Sequence, residues 1–95
     1  MGNEITPLKA ALEKFMSQHR HRSKLIQTNI IENWKEIAGN TIASRTEKLW
    51  LKEGKLHIVI NSSVLKTELQ FHKEKLVDKV NISANSQVIN DVIIH

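Results

Sequence analysis

The 95-residue chain contains no cysteine, which excludes a disulfide framework and any zinc site built on thiolates, and favours an intracellular setting. It also lacks a long apolar run. No stretch approaches the roughly 20 apolar residues that span a bilayer, and the start, MGNEITPLKAALEKF, has no cationic segment leading into an apolar one. A soluble, cytoplasmic protein with no membrane partner is expected. Met1–Thr6 does fit the M-G-x-x-x-[ST] pattern for myristoylation, a short pattern that chance often supplies. No G-x-x-x-x-G-K-[ST] loop is present to cradle phosphates, so the chain is expected to hydrolyse no ATP. Internal repeats and low-complexity segments are absent as well.

A chain of this length makes one small domain, 1–95, burying about 60–65% of the surface its unfolded form exposes, so a single compact core is required. Lysine and arginine exceed aspartate and glutamate by 14 to 10, for a formal charge of +4, a balance that favours polyanionic partners without demanding them. Most of those cations are lysines, so the few arginines are the more informative positions.

Thr6-Pro7 reads as a helix start, threonine as the cap and proline at the first helical position, where no N–H is needed. Leu8, Ala11, Leu12, Phe15 and Met16 give that helix an apolar face, and it is expected to end near Gln18. A second helix is expected from Ser23, with Ile26, Ile30, Ile31, Trp34, Ile37 and Ala38 on its inner face and Gly39 as its stop. That division leaves QHRHRSK, residues 18–24, as a surface turn between two core-packed helices. NTIASRT is ambiguous.

Period-two alternation then takes over. EKLWLK (47–52) and KLHIVIN (55–61) flank Glu53-Gly54, a two-residue hairpin loop. This loop sets Lys52 against Lys55, Leu51 against Leu56, Trp50 against His57 and Leu49 against Ile58. Leu49, Leu51, Leu56, Ile58 and Ile60 then face the core, and Lys48, Trp50, Lys52, Lys55, His57 and Val59 face outward. Ser62-Ser63 caps a third helix carrying Leu65, Leu69, Leu76 and Val80, with Val64 and Val77 alongside, to about Val80. NISANSQ is a polar connector, and VINDVIIH closes the chain as a β-branched strand that joins the hairpin. The expected fold is α+β in the order α-α-β-β-α-β, a three-stranded sheet with helices on one face.

His19 and His21 form H-x-H, but zinc takes three or four ligands and neither cysteine nor a nearby carboxylate completes the set, so they read as solvated histidines and no metal or other cofactor is expected. Ser62 and Ser63 serve as caps rather than as nucleophiles paired with His57 or His72, and no catalytic residue is assigned. Arg20, Arg22 and Lys24 meet the one requirement of a phosphate contact, exposed cations, although such a run is as readily a solvated surface. Two readings stand for the outward hairpin face. Lys48, Lys52 and Lys55 around Trp50 suit a single strand whose backbone tracks cations and whose base stacks on the indole; alternatively the indole covers lysine stems and His57. Trp34, in line with Ile30 and Ile37, reads as core.

Trp34-Lys35-Glu36-Ile37-Ala38-Gly39 forms W-x-x-I-x-G, Ile42-Ala43-Ser44-Arg45-Thr46 forms I-A-x-x-T, and Leu51 to Ser63 forms L-x-x-G-x-L-x-[IV]-x-[IV]-x-S-S, followed by Glu68-Leu69. In this order the motifs resemble the DciA family of bacterial replicative-helicase loaders, a resemblance that covers the chain from Ile26 to Ile94. It implies a KH-like module without ATPase activity that binds the DnaB-type helicase and assists its loading on single-stranded DNA during replication, with a nucleoid-associated location. Two departures accompany it. The chain reads as a short form without the disordered extension of longer members, and Gly39-Asn40-Thr41-Ile42 replaces the G-x-x-G loop of true KH domains. DNA contact then falls to Arg20, Arg22, Lys24, Lys48, Trp50, Lys52 and Lys55. The alternatives are a free-standing module for RNA or single-stranded DNA with no helicase partner, and a protein-interaction domain. The oligomeric state is left open.

Overall fold

The computed structural model describes residues 6–95; apart from Thr6, the myristoylation pattern lies outside the described residues. Helix α1 spans Pro7–Glu32, α2 Trp34–Ala38 and α3 Asn40–Arg45; strands β1 (Thr46–Lys52) and β2 (Lys55–Ile60) follow, then α4 (Ser63–Gln70), α5 (Lys73–Ala84) and β3 (Asp91–Ile94). With the short helical pieces grouped, this is the expected α-α-β-β-α-β order. The sheet runs β1-β2-β3, antiparallel between β1 and β2 and parallel between β2 and β3. Helices cover one face of it.

The hairpin register is the expected one: Lys52 pairs with Lys55, Leu51 with Leu56, Trp50 with His57 and Leu49 with Ile58. Glu53 and Gly54 both take positive φ, 52° and 75°, as a type I′ hairpin turn requires. The same register holds as far as Lys48 opposite Val59, and a bulge between Thr46 and Lys48 then shifts it, so that Thr46 pairs with Ile60. The Gly54 carbonyl accepts from the Asn90 backbone N–H at 2.8 Å, tying the turn to the start of β3.

Leu56, Ile58, Ile60, Val92 and Ile89 of the sheet side, with Ile30, Trp34, Ile37, Leu69, Leu76 and Val80 of the helices, form one buried core, and Leu49, Leu51 and Leu65 pack against it. Trp34 is 5% exposed. Its Nε1 donates to Thr46 Oγ1 at 2.9 Å, and that hydroxyl donates in turn to the Ile42 carbonyl at 2.7 Å. The indole therefore fixes α2, α3 and the start of β1 together, with its one polar group satisfied.

Three expectations need correction. QHRHRSK is no turn: it lies inside the single helix α1. No glycine or proline occurs between Leu8 and Ala38, and Gln, Arg and Lys are good helix formers while His and Ser are tolerated, so nothing in the stretch stops propagation. The helix is interrupted instead at Asn33, whose side-chain Nδ2 donates to the Asn29 carbonyl at 2.8 Å before α2 begins. Second, the face formed by Leu8, Leu12, Phe15 and Met16 does not reach the core; all four are exposed, Phe15 at 67%. Third, the helix expected from Ser62-Ser63 to Val80 is two helices, divided at Phe71 and His72, whose N–H groups bond three residues back to Glu68 and Leu69. That tightening redirects the chain with neither glycine nor proline to mark it. Val64, expected alongside the core stripe, stands exposed at 69%.

Residues read as a polar connector also do more than connect. Asn85, at φ 53° and ψ 33°, ends α5 in the left-handed conformation, with Ser86 N–H bonded to the Asn81 carbonyl and Asn85 N–H to that of Ile82, the two bonds of a Schellman cap. The Asn81 side chain accepts from the Val88 and Ile89 N–H groups at 2.9 and 3.0 Å and donates to the Ile89 carbonyl at 3.0 Å. One amide thereby holds the approach to β3 and lets Ile89 enter the core.

Candidate nucleic-acid interface

The face of the sheet away from the helices is open. Alternation along β1 and β2 puts Lys48, Trp50, Lys52, Lys55, His57 and Val59 on it, as the register requires. Parallel pairing of β3 sets Asp91 beside Lys55 and Ile93 beside His57, and carries His95 to the same face. The three lysines of this face, Lys48, Lys52 and Lys55, are exposed, and Trp50 and His57 are half-buried.

Trp50, His57 and His95 bring one ring from each strand, or its end, into a single aromatic patch. The indole lies nearly parallel to His57, with centroids 4.8 Å apart and planes 6° apart, and to His95, at 5.4 Å and 17°. The two imidazoles are 15° from parallel with centroids 5.3 Å apart, and His57 Nδ1 lies 3.0 Å from His95 Nε2. They therefore sit edge to edge, one ring nitrogen donating and the other accepting. Burial against these neighbours, then repulsion from His95, Lys52 and Lys55, holds His57 below the usual imidazole range. His57 is thereby held toward its neutral form beside the cations.

His95 was not among the residues singled out from the sequence. The signal was present in the alternation Asp91, Ile93, His95, which lies outward once Val92 is core, but it becomes readable only with the register of a parallel strand. The relation between Trp50 and His57 that sequence spacing left open is resolved geometrically: they stack.

Helix α1 extends this surface on one side. Its last turns run antiparallel to β1: just beyond its C-terminus Trp34 of α2 is bonded to Thr46, and earlier in the chain Gln27 Oε1 accepts from the edge N–H of Leu51 at 2.9 Å. Toward its N-terminus α1 therefore passes the hairpin tip. At about 100° per residue, Arg20 and Lys24 lie on the side of Gln27, whereas Arg22 lies about 200° from Arg20 on the other side of the helix. There Arg22 shares a shallow hollow with Ile26, Ser83, Ser86 and Val88. The three cations expected to act together are thus divided: Arg20 and Lys24 continue the lysine face, and Arg22 does not. His19 and His21 point about 200° apart for the same reason. Among the described residues no group of three or more His, Asp or Glu gathers as a metal site, and no helix is long and apolar enough to cross a membrane.

The family model described as "Dna[CI] antecedent, DciA" matches residues 7–94. No curated protein and no solved structure matches the chain. With nearly the whole length covered, and the motifs around Trp34, Ile42 and the hairpin placed at the core and the sheet, the chain belongs to the DciA family.

Proposed function

We propose that the protein is a non-enzymatic adaptor that binds a DnaB-type replicative helicase and assists its loading on single-stranded DNA, while itself holding the strand weakly. Family membership supports the helicase role, because the DciA family is linked to loading of that helicase. The observation that carries the DNA contact is the open sheet face on which Lys48, Lys52 and Lys55 surround three near-parallel rings.

The division of labour follows from the chemistry. Lysines track phosphates without reading sequence, and an aromatic surface accepts any base by stacking, so the contact is sequence-tolerant. Arg20 and Lys24 add charge where a strand leaving the hairpin tip would pass. A few such contacts give non-specific binding with a Kd of about 10⁻⁴–10⁻⁶ M at physiological salt. Weak binding suits a loader that must release the strand to the helicase, and it assigns the protein no reaction of its own.

The reading is tested by mixing the purified chain with a purified DnaB-type hexamer and with a labelled single strand in separate titrations. The adaptor role requires a saturable helicase complex and a salt-sensitive DNA complex. Binding of RNA or single-stranded DNA with no helicase complex would replace it with a free-standing nucleic-acid module.

A further inference from the structure

The first four turns of α1 extend beyond the body of the domain. Every residue from Pro7 to Arg22 is exposed, a segment of about 24 Å at 1.5 Å per residue, and the molecule is accordingly drawn out to 60 × 24 × 20 Å. Leu8, Leu12 and Phe15, exposed at 72%, 54% and 67%, recur at helical spacing along this overhang. Their stripe is in line with Ile26 and Ile30, which pack on the core farther along the same helix. The apolar face that seats α1 on the domain therefore continues past the domain's end, interrupted by His19, Arg22 and Ser23.

We propose that this overhang is a docking arm for an acidic amphipathic helix of the protein partner, received in the corner between the arm and the end of the domain. The shape of the corner selects the occupant. Because the stripe looks toward the side on which the body sits, the arm and the segment Ser83–Val88 enclose an angle rather than presenting a plane. A flat bilayer cannot lie against both walls, whereas a helix about 10 Å across can lie along the arm. Charge selects its chemistry. Lys9 and Lys14 flank the stripe on either side and Arg22 stands at the inner corner beside Ile26, whereas Glu13, the arm's one acidic residue, lies on the far side with Arg20 and Lys24. A second copy of the arm would bring these cations against their own kind, so a helix with an apolar stripe and acidic flanks is the complementary partner. Assigning that helix to the helicase rests on the adaptor reading.

The experiment measures binding of a purified DnaB-type hexamer by the parent chain, by Leu12→Glu/Phe15→Glu, and by Phe71→Glu, which alters an equally exposed ring on the body. The double variant should keep its helical circular dichroism and melting temperature, because neither side chain packs on the domain, and should bind the helicase at least about tenfold more weakly, as loss of central interface anchors does. Phe71→Glu and single-strand binding should be unchanged. Helicase binding by the double variant equal to that of the parent overturns the docking arm and leaves the adaptor reading standing; no helicase binding by the parent removes both. A double variant that unfolds would show that the stripe is packed within the domain, and overturns the proposal. Co-sedimentation of the parent with anionic vesicles, lost in the double variant, would give the stripe to a membrane instead. A parent dimer that the double variant converts to monomer would give it to a second copy.

Discussion

The division of the arginine cluster by the helix makes a quantitative prediction about DNA binding. For single strands the logarithm of the binding constant falls with the logarithm of salt by about 0.7 per phosphate neutralised. Arg20 and Lys24 share the side of α1 that carries Gln27, whose side chain bonds to β1, so both join the lysine face. Arg20→Ala/Lys24→Ala should therefore lower the magnitude of the salt slope by about 1.4. Arg22→Ala, on the side of the hollow with Ser83 and Val88, should leave the slope unchanged. Trp50→Ala is the contrasting perturbation: loss of the stacking surface costs about 1–3 kcal/mol with almost no change of slope, because no charge is removed. The assay is fluorescence anisotropy of a labelled single strand at four or more salt concentrations, with circular dichroism to confirm that each variant is folded. An Arg22→Ala slope reduced as much as that of the double variant would refute the orientation of α1 on which the reasoning depends.

Other consequences are structural. Trp34→Ala should cost about 3–5 kcal/mol, the range for deleting a buried aromatic, and so take away much of the stability of a domain this size; an unchanged melting temperature would show that the indole is not core. Glu53 holds φ at 52° without being glycine, so Glu53→Asn, a residue that accepts this conformation more readily, should raise the melting temperature by a few degrees. Because folding holds the His57 pKa below its unfolded value, the unfolded state takes up the proton first. Stability should then fall as pH drops through about 6.5 toward the folded pKa, and thermal melts of His57→Gln should show a smaller loss than the parent over pH 7.5 to 5.5.

The hairpin was fully legible in the sequence because its signals are local: a Glu53-Gly54 turn fixes the register, and period-two alternation assigns the faces. Trp34 was legible as core for the same reason, lying in a short helical stripe with Ile30 and Ile37. The length of α1 was not, since apolar periodicity reports that a face exists but not what it faces. Leu8, Leu12 and Phe15 look like core residues by spacing and prove to be surface. Ser23 resembled a cap only because the helix was assumed to restart there, and an interior serine in an otherwise helix-forming stretch does not break a helix already nucleated. The site divides in the same way. Lys48, Trp50, Lys52 and Lys55 follow from local alternation, whereas His95 joins Trp50 and His57 through a parallel strand whose register no local signal fixes. The separation of Arg22 from Arg20 needed only the knowledge that the segment is helical.

The central claim is that this chain helps a replicative helicase onto single-stranded DNA, and loading on a closed single-stranded circle measures it most directly. A DnaB-type hexamer should become stably associated with the circle faster when the chain is present, in a manner that depends on the chain's concentration and is weakened by Trp50→Ala combined with Lys52→Ala. Loading at the same rate and to the same extent with and without the chain would contradict the account.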